Sequence, residues 1–389
     1  MPLPRFLRAY YAYVFLIDFI LGYAIYTAYF SLSGLDVWNI ALLFIIWSVM
    51  AAIFEVPSGA LSDHLDRRWL LVAAPLIKSC TFAVWALGGG DFWMTAAGFL
   101  IWSFSGSLIS GSKEALLYEH MEAAGAAEDY DRVLGRDRAL QEVAAGIAMV
   151  LGGLVGHFSM VAALWLALPP LFAAAIIAIW LPDIRERPDG AEAPHYFTHF
   201  ITAAREYRAS ANLRFLTAYL VLGVMLFWVL DEFDPLYYLA VGMPIWSFGL
   251  IGAAAIAVLA AANIFAHRLA GFRAGGWLLP LVSGLLLLAS GLYNSAWLLI
   301  PLMMAYVVAA PVRILGEAKF QRLLEGSSRA TTVSALYFFH CLASVAMCLA
   351  IGFVASQLGV VAAYGWCGAY LCAIALWGWW RDRHGQSAI

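Results

Sequence analysis

Eleven charged side chains lie inside long apolar stretches of this 389-residue chain, and they are the residues best placed to do chemistry. Eight are acids and three are bases: Asp18, Glu55, Lys78, Lys113, Glu114, Glu142, Asp231, Glu232, Asp234, Arg313 and Glu317. A charge within a bilayer is costly, so each of these groups is a candidate for carrying a proton or contacting a substrate. The alternative for each is a structural pairing with a neighbouring group.

The composition of the whole chain indicates whether water or lipid surrounds it. Apolar residues make up 64% of the chain and charged residues 12%, whereas a soluble domain has roughly 25% charged residues. The net charge of −3 and the absence of a basic cluster argue against a nucleic-acid partner. Five cysteines, all within apolar segments, argue against a secreted disulfide scaffold. The chain is expected to be a polytopic membrane protein in contact with lipid.

Apolar runs of membrane-spanning length recur along the whole chain, since about 20 apolar residues cross a bilayer as a helix. Twelve spans are predicted, at residues 8–30, 37–61, 70–88, 92–119, 137–157, 160–181, 213–240, 245–267, 276–293, 296–322, 330–356 and 359–380. The first run lacks a small-residue cleavage site after it, so we expect a retained helix rather than a signal peptide.

The basic residues predict the orientation of these spans. Nineteen of the 22 lie in the segments that share a side with the N-terminus, and the other three lie within spans. Because basic loops stay in the cytoplasm, both termini are predicted to be cytoplasmic. The expected location is the cytoplasmic (inner) membrane of a bacterium.

One long polar break divides the spans six to six. Residues 182–212 are predicted to form a cytoplasmic linker between an N-terminal bundle, 1–181, and a C-terminal bundle, 213–389. Five linker residues follow helical spacing and predict a helix lying on the membrane surface: Phe197, Phe200, Ile201, Ala204 and Tyr207. Matching pairs near the ends of spans 4 and 10, Glu114-Ala115 and Glu317-Ala318, indicate duplicated six-helix units.

The loop after the second span carries a recognisable motif, Gly59-Ala60-Leu61-Ser62-Asp63-His64-Leu65-Asp66-Arg67-Arg68. It resembles the signature G-x-L-x-D-R-x-G-R-R of the major facilitator superfamily of secondary transporters. His64 and Asp66 stand where the family has Arg and Gly, and the second change bears on whether the loop makes the family's tight turn. The preceding residues, Phe54 to Ser58, resemble a prelude common in bacterial drug-efflux-like members.

The resemblance implies an all-α membrane protein of twelve helices in two pseudo-symmetric six-helix bundles, which we expect to be a monomer. It also implies that the motif, with Gly59 and Arg68, forms a conformational latch. Asp63 would meet the start of the eleventh helix near Arg329, and Arg67 would meet Glu119 at the end of the fourth. The alternative is that these charges only determine topology. In the family, helices 1, 4, 7 and 10 line the central cavity, and eight of the eleven intramembrane charges fall on those spans.

Asp18 is the principal proton-carrier candidate because it lies about ten residues into its span, near mid-membrane. Burial favours the neutral form of a carboxyl group in general. The alternative is a structural carboxyl group that pairs with Lys113 or accepts hydrogen bonds from hydroxyl groups. Lys113 has no acid four residues away on its own helix, which leaves it available for an anionic group or for Asp18. For Lys78, snorkelling to the inner surface is favoured.

Three acids precede a proline in span 7: Asp231, Glu232 and Asp234 before Pro235. This stretch could attract cations or protons at an outer gate, or form a frayed helix end exposed to water. In span 10, Arg313 and Glu317 are four residues apart and are expected to pair with each other. The glycines of span 5, Gly146 and Gly152 to Gly156, resemble a drug-antiporter element that lacks its proline, or they permit close helix packing.

No cofactor is expected, since the sequence has no phosphate-binding loop, and no cysteine or histidine spacing suits a metal. The chain is predicted not to be an enzyme. The favoured function is proton-coupled movement of a small organic solute by alternating access, as an antiporter that exports lipophilic or cationic compounds. The alternatives are an importer of a nutrient or metal chelate, with Lys113 and Arg313 contacting anions, and a non-transporting sensor or lipid-handling protein on the same scaffold.

Overall fold

The computed structural model describes residues 1–110, 112–184, 210–269, 271–272, 274–323 and 329–384. Within these ranges the secondary structure is helical, and none of the described residues forms a strand. Helices are the expected outcome because each apolar run must satisfy its own backbone hydrogen bonds where water is absent. The prediction of an all-α membrane protein is confirmed. The amphipathic linker segment, residues 197–207, lies outside the described ranges.

Within each described range, short connections join the α-helices. They are α1 Leu3–Asp18, α2 Tyr26–Leu32, α3 Val37–His64, α4 Arg67–Gly88, α5 Phe92–Ile109, α6 Ser112–Ala123, α7 Tyr130–Phe158, α8 Met160–Trp165, α9 Leu168–Ala178, α10 Ala211–Tyr219, α11 Leu226–Ala240, α12 Ile245–Phe265, α13 Gly275–Ser290, α14 Leu299–Leu323, α15 Arg329–Leu358 and α16 Val360–Arg383. Each of the twelve predicted spans corresponds to one helix or to consecutive helices of this series.

The helices have the dimensions that a membrane requires. In the part of the chain that the structure covers, eleven helical segments are long and apolar enough to cross a bilayer, judged by length and composition. A further apolar helix, α13, is shorter at 16 residues. It coincides with the ninth predicted span, and the chain is a multi-pass membrane protein.

The first span is interrupted near its middle, which the apolar pattern did not predict. Helix α1 ends at Asp18, a 3₁₀ turn covers Leu21–Ala24, and α2 begins at Tyr26. Gly22 lies within the 3₁₀ turn, and no proline lies between Arg5 and Leu32. At the interruption, the backbone of span 1 packs closely against a neighbouring helix, α7.

The glycines of span 5 make that packing possible. A Cβ atom on Gly152 in α7 would lie 1.9 Å from the carbonyl oxygen of Leu21, and one on Gly156 would lie 3.0 Å from the Ile25 side chain. Only a residue without a side chain lets two backbones approach this closely. These two glycines therefore serve close packing, and the backbone they accommodate is the interrupted segment of span 1.

Contacts divide the chain into two compact units, residues 1–189 with 244–256, and residues 190–243 with 257–389. In the first unit, α12 begins against α7: a Cβ atom on Gly249 would lie 1.8 Å from the Met149 carbonyl oxygen. In the second unit, α13 and α16 pack backbone to backbone, with a Cβ atom on Gly291 placed 2.2 Å from Cα of Gly365. The division into six-helix halves at 181 and 213 stays a prediction.

The motif loop between α3 and α4 turns without glycine. Asp66 has a φ of −64°, which any residue adopts, and its carboxylate accepts the backbone N–H of Arg68 at 2.9 Å as the N-cap of α4. The aspartate that replaces the family's glycine is therefore compatible with the turn and caps the next helix.

This cap yields a prediction. Asp66→Ala should lower the free energy of unfolding by about 1 kcal/mol, whereas Asp66→Gly, which restores the family's residue, should lower it by only a few tenths. Unfolding of the purified protein in detergent measures both. Equal losses for the two variants would show that the cap does not stabilise α4.

Candidate functional site

In the first unit, Asp18, Tyr23 and Lys78 form one connected group, named here the Asp18 triad. The Lys78 ammonium Nζ donates to the Tyr23 hydroxyl oxygen at 2.9 Å, and this hydroxyl donates to Oδ1 of Asp18 at 3.4 Å. The ammonium and the carboxylate are 3.9 Å apart. The ion pair is therefore open, with a phenol hydroxyl between its two charges.

The interruption of span 1 is what brings this triad together. In a continuous α-helix, residues five apart lie about 140° apart around the axis, so Asp18 and Tyr23 would face different neighbours. The change of direction between Asp18 and the 3₁₀ turn places both side chains toward Lys78 on α4. The packing on Gly152 and the geometry of the triad are thus parts of one arrangement.

Aromatic rings complete the surroundings of Lys78. Its Nζ lies 5.6 Å from the ring centroid of Trp102, within cation–π range, and meets Tyr23 at its hydroxyl, 5.5 Å from the ring centroid. The Lys78 side chain is only 8% exposed, whereas that of Asp18 is 24% exposed. The interpretation of Lys78 as a snorkelling residue is wrong, because its charge is compensated inside the first unit.

Lys113 also has a partner that sequence reasoning missed. Its Nζ donates to Oδ2 of Asp137 at 2.9 Å, and Gln141 donates to the same oxygen at 2.7 Å. Both charged residues are buried, Asp137 to 1% exposure. The expectation that Lys113 pairs with Asp18 is therefore wrong, and its contact with an anionic solute stays a prediction. The partner lies on α7, 24 residues away, and spacing along one helix cannot identify it.

The structure brings the motif arginine and its expected acid together. Arg67 Nη1 contacts Oε1 of Glu119, and the Arg67 backbone N–H donates to Oδ2 of Asp183 at 3.0 Å. Arg68 pairs with Asp66 at 3.0 Å. The side chains of Asp63 and Arg329 lie outside the described part of the structure. Gly59 has a helical backbone. The latch role of the motif stays a prediction.

The remaining acids of the first unit lie at more accessible positions. Glu55 is exposed and accepts a hydrogen bond from the Ser110 hydroxyl at 2.9 Å. Glu114 and Glu142 are exposed on α6 and α7. None of these contacts connects them with the Asp18 triad, so their candidate roles stay predictions.

In the second unit, Asp234 is surrounded by tyrosine hydroxyls, a group named here the Asp234 site. Tyr364 donates to Oδ1 at 2.6 Å, and Tyr306 and Tyr238 donate to Oδ2 at 3.1 and 3.4 Å. Asp234 is 5% exposed. Three spans contribute, because Asp234 and Tyr238 lie on α11, Tyr306 on α14 and Tyr364 on α16.

Helix α11 continues through Pro235 to Ala240, so the acids before it do not form a frayed end. Neighbouring helices tolerate a proline in a membrane span because they replace the packing and polar contacts that it removes. Asp234 is buried, Glu232 is half-buried and Asp231 is exposed, which gives the three acids different environments. The expectation of a water-exposed helix end is wrong for Asp234.

Arg313 lies beside an aromatic pair rather than at the Asp234 site. Its guanidinium carbon is 5.9 Å from the ring centroid of Trp228, and the Trp228 ring meets the His340 ring edge-on at 5.1 Å. Glu317 is half-buried one turn further along α14. The ion pair between Arg313 and Glu317 stays a prediction.

Sequence reasoning missed three residues of these two sites, Tyr23, Tyr306 and Tyr364, and it also missed Asp137, the partner of Lys113. A tyrosine in a membrane span has several ordinary roles, so its type alone does not mark a site. The one available signal was the equal depth of Asp18 and Lys78 in their spans, which suggests opposite charges at one level.

A comparison with profiles of known protein families identifies the family of this chain. The sequence profile of the Major Facilitator Superfamily matches residues 9–347. A variant of the nucleoside transporter NupG is similar in structure, with a TM-score of 0.79 at 12% identity, over 95% of this chain and 98% of that one. No curated protein sequence matches.

Two further solved structures share the fold. A bacterial homologue of the human lysosomal transporter Spinster, inward-facing and occupied, has a TM-score of 0.77 at 14% identity over 97% of this chain and 96% of that one. A POT family transporter in complex with a thioalcohol-conjugated peptide has a TM-score of 0.73 at 9% identity over 98% and 96%. At these identities the likeness concerns the fold. With the profile match over most of its length, the chain belongs to the Major Facilitator Superfamily.

Proposed function

We propose that this protein is a proton-coupled secondary transporter that moves a small organic solute across the bacterial inner membrane by alternating access. The observation that carries the proposal is the Asp234 site, a buried carboxyl group held by three tyrosine hydroxyls. Among the described residues, no basic side chain forms an ion pair with it. A negative charge at this position has hydroxyl dipoles around it, and the described part of the chain supplies no compensating cation.

Such a site suits reversible protonation. An uncompensated charge in a membrane span is unfavourable, and a bound proton removes it. Tyrosine hydroxyls serve both states, since they donate to a carboxylate and accept from a carboxylic acid. We propose that Asp234 takes up a proton on one side of the membrane and releases it on the other during the transport cycle.

The balance of charge within the spans supports a cationic or neutral lipophilic solute. Eight acids and three bases form the intramembrane set, and two of the bases, Lys78 and Lys113, are neutralised by aspartates. The remaining acids stay candidates for contact with solute or protons. Together with the drug-efflux-like prelude before Gly59, this favours an antiporter that exports lipophilic or cationic compounds. The importer alternative depends on anion contacts by Lys113 and Arg313. It is less favoured because Lys113 already forms an ion pair with Asp137.

The proposal is tested by solute flux in proteoliposomes. Uptake of a fluorescent lipophilic cation such as ethidium is measured with a pH gradient of either sign and with none. We expect accumulation only when protons can leave the compartment that ethidium enters. Asp18→Asn should retain part of this response if Asp234 is the principal proton site. Equal uptake with and without the gradient would contradict proton coupling.

A further inference from the structure

We propose that the Asp18 triad is the recognition site for a zwitterionic group on the transported solute. In this inference, which rests on the proposed transport function, a solute carboxylate replaces Asp18 beside Lys78. A solute ammonium group replaces Lys78 beside Asp18. The solute is a small molecule with both charges on an aromatic or aliphatic body, which narrows the lipophilic or cationic compounds of the proposed function to those that also carry a carboxylate.

The first argument is the open geometry of the ion pair. A direct ammonium–carboxylate hydrogen bond has a length of about 2.7–2.9 Å. Lys113 and Asp137 meet this value at 2.9 Å, whereas Lys78 and Asp18 are 3.9 Å apart with the Tyr23 hydroxyl between them. Of these two lysine–aspartate pairs in the first unit, only the pair in the triad has a geometry that a ligand could split.

The second argument is charge balance across the transport cycle. A transporter changes between outward-facing and inward-facing conformations both with and without bound solute. It must avoid an uncompensated buried charge in both states. The Asp18–Lys78 pair neutralises itself in the empty state. A zwitterion leaves each of the two side chains with an opposite partner, while a simple cation or anion would leave one of them without.

The third argument is the position of the triad. It lies at the interruption of span 1, and the Asp18 side chain is 24% exposed. The rings of Tyr23 and Trp102 flank Lys78 at 5.5 and 5.6 Å, and they offer a surface for an apolar or aromatic solute body. The Lys113–Asp137 pair, in contrast, is buried on both sides.

Binding of three related compounds tests the inference. Phenylalanine carries both charges, phenethylamine only the ammonium, and hydrocinnamate only the carboxylate. Each is titrated into the purified full-length protein by calorimetry with no gradient present. Phenylalanine should bind at least roughly tenfold more tightly than either of the others, because phenethylamine and hydrocinnamate each form one charged hydrogen bond fewer with the site. Equal or weaker binding of phenylalanine would overturn the inference.

Single substitutions should redirect the preference. Lys78→Gln leaves the acid and should favour phenethylamine, whereas Asp18→Asn leaves the base and should favour hydrocinnamate. The double variant Asp18→Asn/Lys78→Gln leaves no buried charge, so it tests the site even where a single variant does not fold. It should bind all three compounds with similar, weak affinity. Retention of the phenylalanine preference in the double variant would contradict the proposal.

The matched control is the other buried pair, as Lys113→Gln/Asp137→Asn. Removing it also removes a lysine–aspartate pair from the first unit, and we expect the order of affinities for the three compounds to stay unchanged. If this control variant also loses the order of affinities, the loss in the triad variants reflects general destabilisation, and the proposal is overturned. Because no gradient is used, failure of proton coupling in flux measurements leaves this result unaffected.

Discussion

Gly152→Ala is expected to destabilise the protein by roughly 2–4 kcal/mol, at the high end for a single substitution. The added Cβ atom would lie 1.9 Å from the Leu21 carbonyl oxygen and 2.8 Å from its carbonyl carbon. Both atoms belong to the backbone, so no side-chain rotation relieves the overlap. Either α7 or the interrupted segment of span 1 must move, and the Asp18 triad moves with the latter. Thermal unfolding in detergent measures the loss.

Two glycines on the same helix are the controls. Among the residues that the structure describes, a Cβ atom on Gly146 would meet only Ala253, at 4.0 Å, and one on Gly135 would meet nothing within 4 Å. Alanine at these positions should be neutral or stabilise by about 0.5–1 kcal/mol, as alanine does in a helix. If Gly152→Ala unfolds at the same temperature as these controls, the close contact with Leu21 is not a stabilising feature.

Asp234→Asn is expected to abolish the acceleration of solute flux by a pH gradient. Asparagine has nearly the same shape: its oxygen can accept from Tyr364, and its amide N–H can donate to the Tyr306 hydroxyl oxygen, but it takes up no proton at neutral pH. Solute exchange between compartments of equal pH should persist, because the variant keeps a neutral side chain at the site. Flux with and without the gradient in proteoliposomes gives both quantities.

Asp36→Asn is the matched control for this substitution. Asp36 caps α3 by accepting the Asn39 backbone N–H at 2.7 Å, and asparagine caps a helix equally well. Its flux should respond to the gradient like that of the parent protein. A full response to the gradient in Asp234→Asn would exclude Asp234 as the coupling group.

The spans could be predicted from the sequence because an apolar run of membrane length has few other structures open to it. The pairing of Arg67 with Glu119 was also accessible, since it follows from a motif with a fixed place in its loop. An apolar run can be identified from neighbouring residues alone. The motif has a known place in its loop, and this place identifies the residue that it contacts.

The interruption after Asp18 was not accessible, because the close packing at this point involves Gly152, on a helix more than a hundred residues later. The same reason applies to Asp137, which neutralises Lys113, and to Tyr306 and Tyr364, which surround Asp234. These contacts join separate spans, and apolar periodicity says which residues lie in the membrane but not which helix faces which. The intramembrane charges were therefore identifiable, while most of their partners were not.

Proton movement itself tests the central proposal most directly. A solute gradient is imposed on proteoliposomes that contain a pH-sensitive dye and no initial pH gradient, and the internal pH is followed over time. The parent protein should drive protons against the direction of solute movement, and Asp234→Asn should move solute without changing the internal pH. A pH change of equal size in the parent and in Asp234→Asn would contradict the proposed role of Asp234, and no pH change in the parent would contradict proton coupling.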